Sequence, residues 1–237
     1  MASLAVTIRD VSDWTHTAPG VVAALAWAFA ALAVGSVARF VQWGIRRSAD
    51  AREHLVSLRT WWLILTLFAA GVLIGRLGVI GLMCGVSLLA MWEYLRLTGP
   101  NVGRAATGVT YLAIVAHYAM IAIGQPTLAL ITAPVLGVIA IVIAAVVRDR
   151  VDGYLQGVGS VVLGLMMTTV LLSFVAMPVL GSDERMGQVV LVVLLTTAGD
   201  IAQSVVGGLI GRRKIASVVS PRKTWAGLAG GVAVGAG

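Results

Sequence analysis

From Val21 onward the chain alternates apolar runs long enough to cross a bilayer with short gaps that hold most of its charge. A bilayer core about 30 Å thick takes roughly 20 apolar residues as a helix. In hydrocarbon the backbone must satisfy its own hydrogen bonds, which a helix does within one segment. The runs are Val21–Ala38, a short one from Trp61 to Ile74, Leu77–Leu97, Ala105–Ile123, Thr127–Val147, Leu155–Leu180 and Gln188–Ile210, and an eighth begins at Trp225. The expectation is an all-α, polytopic integral membrane protein with about seven transmembrane helices and the start of an eighth.

Composition agrees. With 59% hydrophobic residues, 11% charged and a mean hydropathy of +0.98, the chain falls far from a soluble domain, in which about 25% of residues are charged. A pI near 10.5 is also typical of nucleic-acid-binding chains, but the positions of the charges exclude that reading. Counted by gap, 14 Lys and Arg fall in the gaps after runs one, three, five and seven, against 3 elsewhere. The positive-inside rule makes the first set cytoplasmic and the N-terminus external. Cys84, the sole cysteine, excludes an intrachain disulfide and a cysteine metal cluster. Met1–Gly20 carries Arg9, Asp10, Asp13 and His16 without an apolar core, so a polar leader is expected rather than a cleavable signal. One membrane domain follows: leader 1–20, helices 21–210, a basic cytoplasmic loop 211–224, and a helix start at 225–237. The gap from Arg39 to Arg59 reads as the longest polar connection, and Gly75-Arg76 as a sharp turn.

Two acidic residues lie within apolar runs, Glu93 and Asp200. Glu93 has Arg96 at i+3 and reads as half of an interfacial ion pair. Asp200 has no cation nearby on its own helix. A charged group at membrane depth costs about 2.5–3.5 kcal/mol on insertion scales, so it ordinarily faces a bundle interior or cavity. Helical spacing sets Gln203 or Ser204, Gly207, and Gly208 or Gly211 on the side of Asp200. That row serves either as a helix-packing seam or as the wall of a polar site. The loop beyond it holds Arg212, Arg213, Lys214, Arg222 and Lys223. Ser220 suits an N-cap and Pro221 the first helical position, so a helix is expected to start there, with free N–H groups among the cations. Such a start attracts anions, although a basic loop also serves topology alone. His117 and Tyr118 read as packing or hydrogen-bonding residues, His54 as a loop residue, and no His or Cys spacing suits a metal.

Asp200, Gly207, Gly211, Ser220, Pro221, Lys223, Thr224, Trp225 and Gly227 together resemble the central motif of the phosphatidate cytidylyltransferases (CDP-diacylglycerol synthases), an aspartate and two glycines followed by S-P-x-K-T-W-x-G. RTWW at Arg59–Trp62 and MWEYLRL at Met91–Leu97 are similar to features of that family's first third. The resemblance implies transfer from CTP to phosphatidate, with Mg2+, giving CDP-diacylglycerol and pyrophosphate in phospholipid synthesis at a bacterial inner membrane. Lys223, Ser220 and Thr224 would contact phosphate, with Arg212, Arg213, Lys214 and Arg222 as a supporting field. Gln203 and Ser204 would join the substrate-binding face, while Asp200 would order the cavity or help hold the metal. Ser204, Ser217 and Ala226 depart from the family pattern, which has Tyr, Pro and an acidic or amide residue there. The family's later signature, a K-D pair and H-G-G-x-x-D-R-x-D, supplies metal-holding carboxylates and has no counterpart up to Gly237. The expectation is therefore an N-terminal portion of such a protein, catalytically incomplete by itself, with a homodimer left open. An ion-coupled carrier and a non-catalytic scaffold of the same fold are the alternatives.

Overall fold

The computed structural model describes residues 7–8, 10–13, 18–45, 49–99, 103–147, 153–181, 184–217 and 220–236, excepting the side chains of 38–57, 184, 216, 221 and 222. Among these residues the long elements are helical: α1 (Pro19–Ile45), α2 (Ala49–Ile74), α3 (Arg76–Thr98), α4 (Gly103–Ala122), α5 (Pro126–Val146), α6 (Tyr154–Ser173), α7 (Glu184–Ile210) and α8 (Trp225–Ala236). Six of them hold segments long and apolar enough to cross a membrane, and Leu58–Ile74 and Trp225–Ala236 are shorter apolar helices. The chain is an all-α, polytopic membrane protein with one small hairpin between α7 and α8. It divides into two compact units, Met1–Met186 and Gly187–Gly237.

The expected polar connection from Arg39 to Arg59 is helical over its described residues: α1 continues to Ile45 and α2 starts at Ala49. This stretch holds five Arg, two Ala, two Leu and a Glu, all good helix formers, and no proline, so its propensity permits continued helix. The side chains of Arg39, Arg52 and His54, and Arg46 and Arg47 entirely, lie outside the described residues. The run expected to reach Leu180 ends as helix at Ser173, followed by a tight turn, Met177–Leu180, that contains Pro178.

In the first unit the α2–α3 corner turns on Gly75, whose φ of 92° lies in the left-handed region that glycine enters freely. A side chain at Gly78 would strike the Gly71 carbonyl and Ile74, so these glycines let the two helices meet closely. Arg76 Nη2 donates to the Ala122 carbonyl (2.6 Å), tying the start of α3 to the end of α4. At the other end of α3, Tyr94 Oη donates to the Ser160 carbonyl (3.0 Å) on α6. Helix α5 widens into a π-turn over Thr132–Gly137. Pro134 lies inside it; proline lacks an N–H and clashes with the preceding turn of an α-helix, and a wider turn relieves both. Inside the bundle, Met91, Ile114, Tyr118, Ile121, Ile141 and Leu165 are fully buried. Ser87 Oγ and Tyr118 Oη share a hydrogen bond (2.8 Å), and His117 Nδ1 bonds the Ala129 carbonyl (2.8 Å). His117 is thus a packed, hydrogen-bonded residue, as its isolation in the sequence implied. The Glu93–Arg96 pair forms at 3.8 Å, and its exposure makes it worth little.

Candidate functional site

The site residues singled out above all fall in the second unit, on α7, on the short segment 211–213 that follows it, and on the hairpin β1 (Lys214–Ala216) and β2 (Ser220–Thr224), which leads into α8. The small-residue row of α7 is a packing face, and its partner row is on α8. A side chain at Gly227 would meet the Gln203 carbonyl at 2.5 Å and the Gly207 Cα at 3.1 Å, and one at Gly231 would meet the Gly199 carbonyl at 2.9 Å. Gly199, Gln203 and Gly207, spaced by four, thus lie against Gly227 and Gly231. This is the close approach that small residues permit in membrane helices. Asp200, Ser204 and Gly208 form the neighbouring row and are exposed. The single face expected from the sequence is therefore two adjacent rows, one packed and one open.

The start of α8 differs from expectation. Ser220 and Pro221 lie in β2, which pairs antiparallel with β1 (Lys214 opposite Thr224, Ala216 opposite Ser220), and the helix begins at Trp225. Proline's fixed φ suits the first residues of a strand as well as of a helix, and here the pairing with β1 decides. The N-cap is Thr224, whose Oγ1 accepts the Gly227 N–H (3.2 Å). The Trp225 N–H donates to the Arg213 carbonyl (3.0 Å). Two of the first three amides of α8 are thus satisfied within the fold, which corrects the expectation of free amides from Ser220 onward. Thr224 is only 7% exposed, and side chains at Gly207 or Gly211 would run into its Oγ1. It locks the hairpin to α7 and α8 and is not open to solvent. The cue was in the sequence: a threonine directly before an apolar, glycine-rich run.

Lys223, the residue before the cap, is exposed, and its Nζ donates to Gln203 Oε1 (3.0 Å). The structure thus brings together Lys223, Gln203 and Thr224, with Thr224 packed onto Gly207 and Gly211. Arg212, Arg213 and Lys214 are exposed on the chain leading into and along β1, and Ser220 is half-buried. The side chain of Arg222 lies outside the described residues. Asp200 forms no ion pair among the described residues. It is the sole acidic residue from Gly187 to Gly237, and the described residues gather no group of three or more His, Cys, Asp or Glu. Magnesium is commonly held by one or two carboxylates together with substrate phosphates. Asp200 has the right chemistry for one such ligand. The arrangement as a whole offers a held ammonium, three further exposed cations and the positive end of a helix dipole, a surface suited to polyanionic phosphate.

The family model for the Cytidylyltransferase family matches residues 56–236. The uncharacterized protein YnbB of Escherichia coli (strain K12) is 31% identical over 213 residues, covering 88% of this chain and 70% of that protein. No solved structure matches the chain.

Proposed function

The chain belongs to the cytidylyltransferase family, and from that premise we propose that it moves the cytidylyl group of CTP onto phosphatidate, giving CDP-diacylglycerol and pyrophosphate. A phosphate oxygen of phosphatidate attacks the α-phosphorus of CTP. The bond from that phosphorus to the oxygen bridging the α- and β-phosphates breaks, and pyrophosphate leaves with the electron pair. The observation that carries the reading is Lys223, exposed beside the Thr224-capped start of α8 and held there by Gln203. Its ammonium has three donors, and Gln203 uses one, leaving two for phosphate oxygens. Arg212, Arg213 and Lys214 add a positive field that draws in anions and is screened beyond about 8–10 Å at ordinary salt. Asp200 would supply one carboxylate to Mg2+, and bound Mg2+ would offset the triphosphate charge. Other metal ligands are proposed to come from outside the described residues. The lipid enters from the side, and its headgroup meets CTP at the cytoplasmic surface of a bacterial inner membrane, where the hairpin lies.

The test is lipid-soluble product from α-labelled CTP in vesicles with and without phosphatidate, alongside CTP binding by the chain. Product that requires phosphatidate, or CTP binding lost in Lys223→Ala, supports the reading. Label transferred equally well to vesicles lacking phosphatidate would move the acceptor elsewhere. Solute flux without any affinity for CTP would favour a carrier.

A further inference from the structure

Lys223 has a choice of partners in the sequence. Asp200 and Gln203 are three residues apart on α7, and a carboxylate is the stronger attractor for an ammonium. Yet the lysine bonds the neutral carboxamide at 3.0 Å, and Asp200 lies beyond ion-pair distance of every described cation. A neutral acceptor directs the ammonium without cancelling its charge; a carboxylate there would do both. The backbone that carries the acceptor is packed in place. Gln203 sits where α7 and α8 touch, its carbonyl against Gly227 and its Cβ against the position a side chain at Gly231 would take. Lysine has a long, flexible stem whose ordering is costly, so a fixed acceptor on the facing helix removes part of that cost before any ligand arrives.

We propose that Gln203 is a positioning residue for Lys223, holding its charged ammonium beside the start of α8 for a nucleotide phosphate. This rests on the reading of Lys223 as a phosphate contact. It changes the part expected of Gln203, which acts through the lysine rather than on the substrate.

The experiment is a double-mutant cycle on CTP binding by the detergent-solubilised chain. Gln203→Met, similar in size but without the acceptor, is made alone and with Lys223→Ala, and all variants are matched for thermal stability. Gln203→Met is expected to weaken CTP binding about tenfold in the native background, the order of the cost of ordering a free lysine side chain, and less than about twofold when Lys223 is already alanine. Gln203→Glu keeps size and an acceptor but pairs with the ammonium, and is expected to weaken binding by a similar factor. It serves alone should the methionine variant misfold. Equal losses from Gln203→Met in both backgrounds would overturn the proposal, because the glutamine would then act independently of the lysine. Full affinity in both Gln203 variants, with Lys223→Ala still impaired, would also overturn it while leaving the phosphate reading intact. Full affinity in Lys223→Ala would remove both.

Discussion

Lys223 and Arg212 carry the same charge in the same short stretch, but only the lysine is fixed. Lys223 is held by Gln203 next to the α8 N-cap, whereas Arg212 is exposed and makes no ion pair among the described residues. A hydrogen bond to a charged group is worth about 1.5–3 kcal/mol, and each 1.36 kcal/mol is about tenfold in binding or rate. Lys223→Ala is therefore expected to weaken CTP binding roughly ten- to a hundredfold, and Arg212→Ala only a few-fold. Equal, small losses, read by titration with CTP, would reduce the basic stretch to a topology signal. A second contrast at this scale lies inside the bundle. Ser87 and Tyr118 satisfy each other, whereas Thr169 is fully buried with no partner for its Oγ1 among the described residues. An orphaned buried hydroxyl costs about 1–3 kcal/mol. Ser87→Ala creates one at Tyr118 and is expected to destabilise the chain by that order. Thr169→Val removes one at constant shape and is expected to be neutral or stabilising. Thermal unfolding in detergent separates the two, and an equal loss for both would contradict the assignment.

At the scale of elements, the α7–α8 crossing is built on glycine. An added Cβ at Gly227 meets the Gln203 carbonyl, the Gly207 Cα and the Thr224 hydroxyl, while one at Gly208 meets nothing within 4 Å. Overpacking of this kind costs about 1–3 kcal/mol, and parting the helices also withdraws Gln203 from Lys223. Gly227→Ala is expected to lower both stability and CTP affinity, whereas Gly208→Ala is expected to leave affinity unchanged and to favour the helix slightly. Matched melting curves and CTP titrations of the two variants check this, and equal behaviour would place the crossing elsewhere. Half of this crossing was legible in the sequence, because small residues at helical spacing on α7 stand out against Val and Leu. The other half was not: Gly227 closes the S-P-x-K-T-W-x-G motif and Gly231 lies in an apolar run, but neither shows a packing role until the partner helix is known. The start of α8 was misread for a related reason. Ser-Pro satisfies the local rules of a helix start and of a strand alike, and only pairing with Lys214–Ala216 selects the strand. The π-turn of α5 escaped too, since Pro134 lies within a run whose hydropathy reads as an uninterrupted span.

For the whole molecule, apolar run length was enough to set the class, because lipid leaves the backbone few alternatives. Helix ends were less legible where good helix formers carry α1 and α2 through polar sequence. Within the first unit the contacts agree with successive reversals of direction. Arg76, at the start of α3, bonds the end of α4, and Tyr94, near the other end of α3, bonds α6. These bonds fix which ends lie together but not which ends face the cytoplasm. That orientation rests on charge, 14 Lys and Arg on one set of gaps against 3 on the other. Each such residue near a span favours the cytoplasmic side, and a majority this lopsided is not reversed by losing one or two charges. The proposed chemistry depends on it, since CTP is met on the face that carries the hairpin. Gln125, in the turn between α4 and α5, and Ser217, beyond β1, are exposed and fall on opposite sides of the charge count. With Cys84 replaced by alanine, Gln125→Cys is expected to react with a membrane-impermeant maleimide in intact, inside-in cells. Ser217→Cys should react only after the membrane is opened or inverted. If both label from the same face, the charge rule has misassigned at least one gap. If the pattern is reversed, the hairpin with Lys223 lies outside, away from CTP, and the transfer reaction cannot be the function of that surface.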